Sequence, residues 1–482
     1  GTTGYALSCR IHSFLKLSNM YIQQLYTNCL AQGAYYVESN GEALVIDPMR
    51  EPEVYIDLAA TRGARIKFIF ETHFHADFVS GHLDLARRTG ARIIFGPEAA
   101  PGYPAYIASD MESFHLGDCL VEVRHTPGHT IESICVVLYD EGRKPVAVFT
   151  GDTLFVGDVG RPDLLSGNLS KEVLAGRLYD SLHQKLMNLP DEVEVFPGHG
   201  PGSACGRNLG KETRSTMGIQ KKLNYALQPM SKEEFVKAVT ENQPVAPAYF
   251  FKDAAINKHG YTDLSKVMQR ELNDLSGEEL RAYLEHNTLV LDTRPAVEFS
   301  KKFIRGSIQV GLDGSFAIWA GSVIPLEQPL ILVCGLSQER EPITRLARIG
   351  IEQVVGYWDN DLGQLQEEGI ALDSIPNLEA SQLGDLLKGE QVLLLDVRNP
   401  DEYAANHVLD AENLPLIALQ RELAGLDRTQ KYAVYCAGGY RSMIACSLMK
   451  REGFEQVINI SGGIAAIRGA APELVLEGTI TA

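Results

Sequence analysis

The chain has 482 residues and a formal net charge of −18, from 44 lysines and arginines against 62 aspartates and glutamates. That length exceeds one ordinary core, so two to four domains are expected, and the acidity argues against nucleic acid or an anionic membrane as partner. No apolar run approaches the ~20 residues of a bilayer span, and eight scattered cysteines are too few for a disulfide framework, which points to a reducing cytoplasm.

Residues 1–19 are mixed in character, with Arg10, His12 and Lys16 interrupting any apolar stretch, so no signal peptide is expected and the segment reads as an irregular or non-native leader. A first strand begins at Met20. Short apolar runs at 43–47, 66–70, 91–95, 146–149 and 193–196 predict further strands, most of them running into turns that carry His or Asp. Residues 217–241 are polar and mostly helical, and the prolines at 244 and 247 follow them. We place the end of this first domain at residue 268.

Four fragments at those strand ends belong together chemically. They are Thr72-His73-Phe74-His75-Ala76-Asp77, Pro127-Gly128-His129-Thr130, Thr150-Gly151-Asp152-Thr153 and Pro197-Gly198-His199-Gly200. Imidazoles and carboxylates at turn-rich strand ends are the donor types of a metal site. Their order resembles that of the metallo-β-lactamase fold over roughly residues 20–260, which implies an αββα sandwich with metal at one edge of the sheets. Two-metal hydrolases of that fold, glyoxalase II among them, continue the first motif with Asp-His, whereas Asp77 is followed here by Phe78. Phenylalanine has no lone pair to donate.

The resemblance extends to the single-metal persulfide dioxygenases. It implies one Fe(II) per chain, held by His73, His129 and Asp152 as a two-histidine, one-carboxylate triad with positions left for substrate and O2. His75, Asp77 and His199 are then orienting groups or possible further ligands. Sequence does not separate iron from zinc; the chemistry favours iron, because redox-inert zinc does not activate O2. Arg161, with Asp163 in the same Gly-rich segment, offers a fork for a carboxylate on a thiol-bearing substrate. Cys205, six residues beyond His199, is a candidate for relaying sulfur or tethering substrate. His82, His115, His125 and His183 read as satisfied turn residues.

The second half carries an internal repeat. Leu291-Asp292-Thr293-Arg294-Pro295 mirrors Leu395-Asp396-Val397-Arg398-Asn399-Pro400, the aspartates lying 104 residues apart, and Gly350-Ile351-Glu352-Gln353-Val354 mirrors Gly453-Phe454-Glu455-Gln456-Val457 at an offset of 103. We infer two homologous domains, 272–372 and 374–482, with strands and helices alternating around parallel sheets. In the second, Cys436-Ala437-Gly438-Gly439-Tyr440-Arg441 separates an apolar strand from a helix. A glycine-rich turn ahead of a helix aims N–H groups inward and supports a thiolate.

This Cys-x4-Arg loop resembles that of rhodanese sulfurtransferases. The resemblance implies that Cys436 holds sulfane sulfur as a persulfide, that Arg441 binds sulfite or thiosulfate, and that Ala437, Gly438, Gly439 and Tyr440 line the substrate. The first copy, Cys334-Gly335-Leu336-Ser337-Gln338-Glu339-Arg340, moves the arginine and inserts an acid, so it reads as inactive.

Taken together, the chain resembles multidomain persulfide dioxygenase–sulfurtransferases of bacterial sulfide detoxification. Such a protein oxidises a small-thiol persulfide with O2 to sulfite, and its rhodanese converts sulfite to thiosulfate. A homo-oligomer in the cytoplasm is expected, with no membrane or nucleic-acid partner. The alternatives are a glyoxalase-II-like thioester hydrolase and a non-enzymatic sulfur carrier or sensor.

Overall fold

Apolar side chains alternating between two buried faces build the N-terminal half. The computed structural model describes residues 9–17, 20–164, 169–207, 209–241, 243, 245–389 and 391–478. The chain divides into two units, Gly1–Val267 with Ala347–Gly350 and Met268–Leu346 with Ile351–Ala482.

In the first unit, seven strands form one sheet in sequence order: β1 (Cys9–Leu17), β2 (Met20–Thr27), β3 (Gln32–Ser39), β4 (Glu42–Ile46), β5 (Arg65–Phe70), β6 (Arg92–Phe95) and β7 (Tyr106–Ile107). β1 to β4 pair antiparallel, and β4 to β7 parallel. Six more, β8 (Ser113–Leu116), β9 (Cys119–His125), β10 (Ile134–Tyr139), β11 (Pro145–Gly151), β12 (Glu194–Pro197) and β13 (Ser215–Thr216), form the second sheet in sequence order.

Alternation is legible residue by residue. Ile134, Val136 and Leu138 of β10 join the core between the sheets, while Cys135 and Val137 join the outer layer with Ala175 and Leu178 of helix Lys171–Asp180. β4 splits likewise: Leu44 and Ile46 lie between the sheets, and Ala43 and Val45 pack with Tyr55, Ala59 and Leu85 from helices Glu53–Arg62 and His82–Thr89. Strands buried on both faces read as unbroken apolar runs, and the resulting layers are αββα.

The expected irregular leader differs from what the structure shows. β1 pairs with β2 from Cys9 opposite Thr27 to Leu17 opposite Met20. A register shift between Ile11 and Ser13 breaks its period of two, which is why alternation gave no strand signal. Residues 1–8 and 18–19 lie outside the described residues. Within 217–241, helices Met217–Leu223 and Lys232–Thr240 form, the latter opened by a Ser231–Glu234 capping box. Helices Phe250–His259 and Leu264–Glu271 follow.

The second unit holds two parallel sheets. The first copy contains β14 (Leu289–Asp292), β15 (Phe303–Ile304), β16 (Ile308–Gln309), β17 (Leu330–Val333) and β18 (Val354–Trp358), with sheet order β16-β14-β17-β18. After β19 (Leu372–Asp373), the second copy contains β20 (Asn377–Leu378), β21 (Leu393–Asp396), β22 (Asn406–Val408), β23 (Glu412–Asn413), β24 (Tyr432–Tyr435) and β25 (Val457–Ile460), with sheet order β20-β25-β24-β21-β23. Asp292 and Asp396 end equivalent central strands, and each holds the arginine two residues on, Arg294 and Arg398, at 2.6 Å. Among the described residues, no helix is long and apolar enough to cross a membrane.

Candidate metal centre and thiol loop

The loops that leave β5, β9, β11 and β12 bring His73, His129, Asp152 and His199 together. His129 Nε2 lies 3.5 Å and His73 Nε2 3.9 Å from the same Asp152 Oδ2, and all three side chains are buried. Donor atoms sharing one ion stand about 3–3.5 Å apart, so little closure is needed.

Hydrogen bonds fix both tautomers. His129 Nδ1 meets the Arg161 carbonyl at 2.9 Å; a carbonyl only accepts, so Nδ1 carries the proton and Nε2 the lone pair. His73 Nδ1 meets Thr72 Oγ1 at 3.0 Å, and that hydroxyl donates to Asp47 Oδ2 at 2.8 Å, which assigns His73 the same tautomer. Burial, then His75, His129 and His199, keep the His73 imidazole well below its usual range and therefore neutral. Both oxygens of Asp152 are buried without a conventional hydrogen bond, as are both ring nitrogens of His199 and Oδ1 of Asp77. Orphaned polar atoms of this kind are costly unless something binds them, and a cation fits the donor set.

Gly160 makes the approach possible. A Cβ there would meet the Asp152 carbonyl at 1.9 Å and His129 Nδ1 at 3.1 Å.

The His75 ring packs 4.2 Å from that of His73 between centroids, but its nitrogen faces other partners. Its Nε2 lies 3.1 Å from Asp47 Oδ1 and 3.6 Å from Glu71 Oε2, in a separate group of three. Burial alone would lower His75, but Asp47 and then Glu71 outweigh it and hold the ring up at about 9. An imidazolium has no lone pair for a metal. The Phe78 ring packs on His75 at 4.4 Å between centroids. Asn257, from helix Phe250–His259, fixes this turn by donating to the carbonyls of His75 and Phe78 at 2.8 and 2.7 Å.

Asp77, His199 and Cys205 form a third buried group. His199 Nε2 lies 3.5 Å from Asp77 Oδ2 and 3.4 Å from Asp152 Oδ1, so this group adjoins the triad through Asp152. Burial, then Asp77 and Asp152, raise the Cys205 thiol well above its usual range. Arg161 is also buried and spends its fork on Asp163, at 2.8 and 2.7 Å. Its backbone carbonyl, rather than its guanidinium, addresses His129. Of the other histidines, His82 meets Tyr103 Oη at 2.7 Å, His125 meets the Ile131 carbonyl at 2.9 Å, His183 packs against the Tyr179 ring at a tilt, and His115 is exposed.

The thiol loop lies in the second unit. Cys436 directly follows β24 and is buried; Gly439 N–H donates to its Sγ at 3.1 Å, and Ser442 Oγ lies 3.7 Å away. The carbonyls of Cys436 and Ala437 accept from the amides of Ile464 and Ala465. Gly463, with φ +56°, allows that seat, since a Cβ would meet the Cys436 carbonyl at 2.2 Å. Gly439, with φ +102°, turns the chain into helix Tyr440–Arg451, and Gly438 has open space beside it. Arg441 is gripped by Glu402 through two bonds of 2.7 Å. The Tyr440 phenol donates to the Gly311 carbonyl at 2.7 Å.

The first copy is electrostatically different. Burial, then Asp359 and Glu339, push the Cys334 thiol up to about 12. Asp359 also accepts from the Ser337 amide at 2.8 Å.

Sequence reasoning misses Glu71 and Asn257. Asp47 carries a signal as the acid at the end of an apolar strand, and Glu402 with Tyr403 belongs to the repeated signature, mirroring Glu298-Phe299, but the sequence does not show that Glu402 pairs with Arg441.

Residues 28–199 match the family model of the metallo-beta-lactamase superfamily, and residues 276–366 and 379–470 each match that of the rhodanese-like domain. Among curated proteins, the probable hydroxyacylglutathione hydrolase glo2 of Schizosaccharomyces pombe is 33% identical over 159 residues, which are 32% of this chain and 57% of that protein. The chain spans under two thirds of the length of such curated relatives. Among solved structures, a metallo-beta-lactamase from Staphylococcus aureus subsp. aureus COL is 31% identical with a TM-score of 0.64, covering 71% of this chain and 100% of its own. ETHE1 from Myxococcus xanthus is 29% identical with a TM-score of 0.42, covering 49% of this chain and 97% of its own.

Proposed function

This chain belongs to the metallo-β-lactamase superfamily and carries two rhodanese-like domains, and from that premise we propose that it is a single-iron persulfide dioxygenase joined to a sulfurtransferase. The observation that carries the first half is the split donor set. Three donors converge on one point, the His75 nitrogen faces Asp47 and Glu71 instead, and Phe78 has nothing to donate. Fe(II) held by His73, His129 and Asp152 would supply activation of O2 beside a bound persulfide.

The overall reaction consumes a persulfide RSSH, O2 and water, and releases the thiol RSH, sulfite and two protons. In it, Arg161 and Asp163 act together: their ion pair holds the Arg161 carbonyl on His129 and so fixes the ring. Thr72 does the same for His73. Cys205 and Asp77 stand with His199 beside Asp152, where burial and the two acids hold the Cys205 thiol above its usual range.

The second half rests on Cys436. Its thiolate attacks the outer sulfur of a donor, the donor S–S bond breaks, and Cys436 keeps that sulfur as a persulfide. Sulfite then attacks the outer sulfur, the new S–S bond gives thiosulfate, and Cys436 leaves as thiolate. Gly439 N–H faces the sulfur throughout. Arg441, oriented by Glu402, supplies positive charge for the anionic partner. Cys334, held as a neutral thiol among acids, takes no part.

A second reading has its own support. The curated relatives are named hydroxyacylglutathione hydrolases, and Asp77, His199 and Cys205 adjoin Asp152 as a second donor group. A two-metal thioester hydrolase would use both groups. Glutathione persulfide and lactoylglutathione, each offered with and without O2, separate the two. O2-dependent sulfite release supports the dioxygenase, and thioester cleavage under nitrogen supports the hydrolase.

A further inference from the structure

We propose that the first rhodanese-like copy clamps the catalytic helix of the second, and that Tyr440 is the positioning residue through which the clamp sets the Cys436 loop; this rests on the sulfurtransferase reading of Cys436. Tyr440 is the first residue of helix Tyr440–Arg451 and directly follows Gly439, whose amide addresses the sulfur. Its phenol donates to the Gly311 carbonyl at 2.7 Å. Its ring lies over Gly314, where a Cβ would come within 2.5 Å of Cε2 and Cζ.

The grip continues along the helix. Ser447 Oγ accepts from the Gln309 amide at 3.0 Å, and Arg451 Nη1 donates to the Gly306 carbonyl at 3.0 Å. Lys450 Nζ pairs with Asp373 at 3.2 Å, at the end of β19. Residues 306–314 of one copy therefore hold the other copy's helix from its first residue to its last.

This peg is not a requirement of the repeated fold. Gln338 stands four residues after Cys334, as Tyr440 stands four after Cys436, and it folds back on its own Gly335, whose Cβ would meet Gln338 Oε1 at 2.5 Å. At the position equivalent to Tyr440, the first copy's side chain thus stays with its own loop. In the second copy, the anchor fixes Tyr440, and with it the adjoining Gly439 N–H at the sulfur. A copy whose own thiol is suppressed thus acts on the thiol of its neighbour.

The test uses the full chain and four variants: Tyr440→Phe, Gly314→Val, Tyr440→Ala, and Gly314→Val combined with Tyr440→Ala. Two quantities are read: sulfur transfer from thiosulfate to cyanide, and the iodoacetamide alkylation rate of Cys436 followed by mass spectrometry. Tyr440→Phe should lower kcat about three- to tenfold, the effect of one ordinary hydrogen bond, with KM for thiosulfate unchanged because Arg441 is untouched. Gly314→Val should lower kcat at least as far and slow alkylation in step. In the Tyr440→Ala background the valine should add nothing, since the ring it displaces is gone. The proposal is overturned if Tyr440→Phe and Gly314→Val both keep native kcat and alkylation rate, or if the valine's penalty is the same with and without the ring. Should Gly314→Val not fold, Tyr440→Phe decides alone. If the native chain transfers no sulfur while alkylation still responds to the variants, the sulfurtransferase reading fails and the clamp stands.

Discussion

Replacing His75 with glutamine separates an orienting cation from a metal ligand. The imidazolium lies 3.1 Å from Asp47 Oδ1. Asp47 accepts from the Thr72 amide and hydroxyl at 2.8 Å each, and the hydroxyl meets His73 Nδ1 at 3.0 Å. His75 therefore acts on the metal site through Asp47, Thr72 and His73, by one ion pair and two hydrogen-bonded steps. Losing an outer partner of a metal-bound histidine costs roughly 10–100-fold in affinity, or about 1.4–2.7 kcal/mol. Losing one of three ligands removes binding altogether. Chelator competition on anaerobically purified protein should show His75→Gln still holding one ion per chain, bound 10–100-fold more weakly (roughly), while His129→Ala holds none. Equal and complete loss in both variants would refute the assignment of His75.

Three further outcomes follow from the same geometry. His75 sits at about 9, above its ordinary 6.5, so its stabilisation is complete below pH 6.5 and disappears as pH rises through 9; the melting temperature of metal-free protein should fall across that window, with up to ~3 kcal/mol at stake, and a flat or rising profile counts against it. Phe78→His should add a donor next to Asp77 in the chain and against His75, raising the metal content from one towards two per chain by elemental analysis; unchanged stoichiometry would show that position 78 does not govern it. Cys436→Ser should abolish the persulfide adduct seen by intact mass after thiosulfate treatment, whereas Cys334→Ser should leave it; the reverse pattern would exchange the roles of the two copies.

The sequence spoke most clearly where local chemistry and chain order coincide. His73, His129 and Asp152 sit in short turns after apolar strands, and the fold brings strand ends to one edge, so their association was legible from order alone. The repeat was equally plain, because Asp292–Arg294 and Asp396–Arg398 make the same local ion pair in each copy. Partners distant in sequence were not legible. Asp47 reaches His75 across 28 positions, and Glu402 reaches Arg441 across 39. Nothing in the motif Gly157-Asp158-Val159-Gly160-Arg161 distinguishes a guanidinium aimed at substrate from one closed on Asp163. β1 escaped notice for a different reason: its bulge hides the alternation by which strands are read.

The most direct measurement is O2 uptake and sulfite release from glutathione persulfide by anaerobically purified protein of known metal content. One iron per chain, with one O2 consumed per sulfite and no sulfite under nitrogen, is the predicted result. Two zinc ions per chain, with hydroxyacylglutathione hydrolysed equally well in the absence of oxygen, would contradict the account.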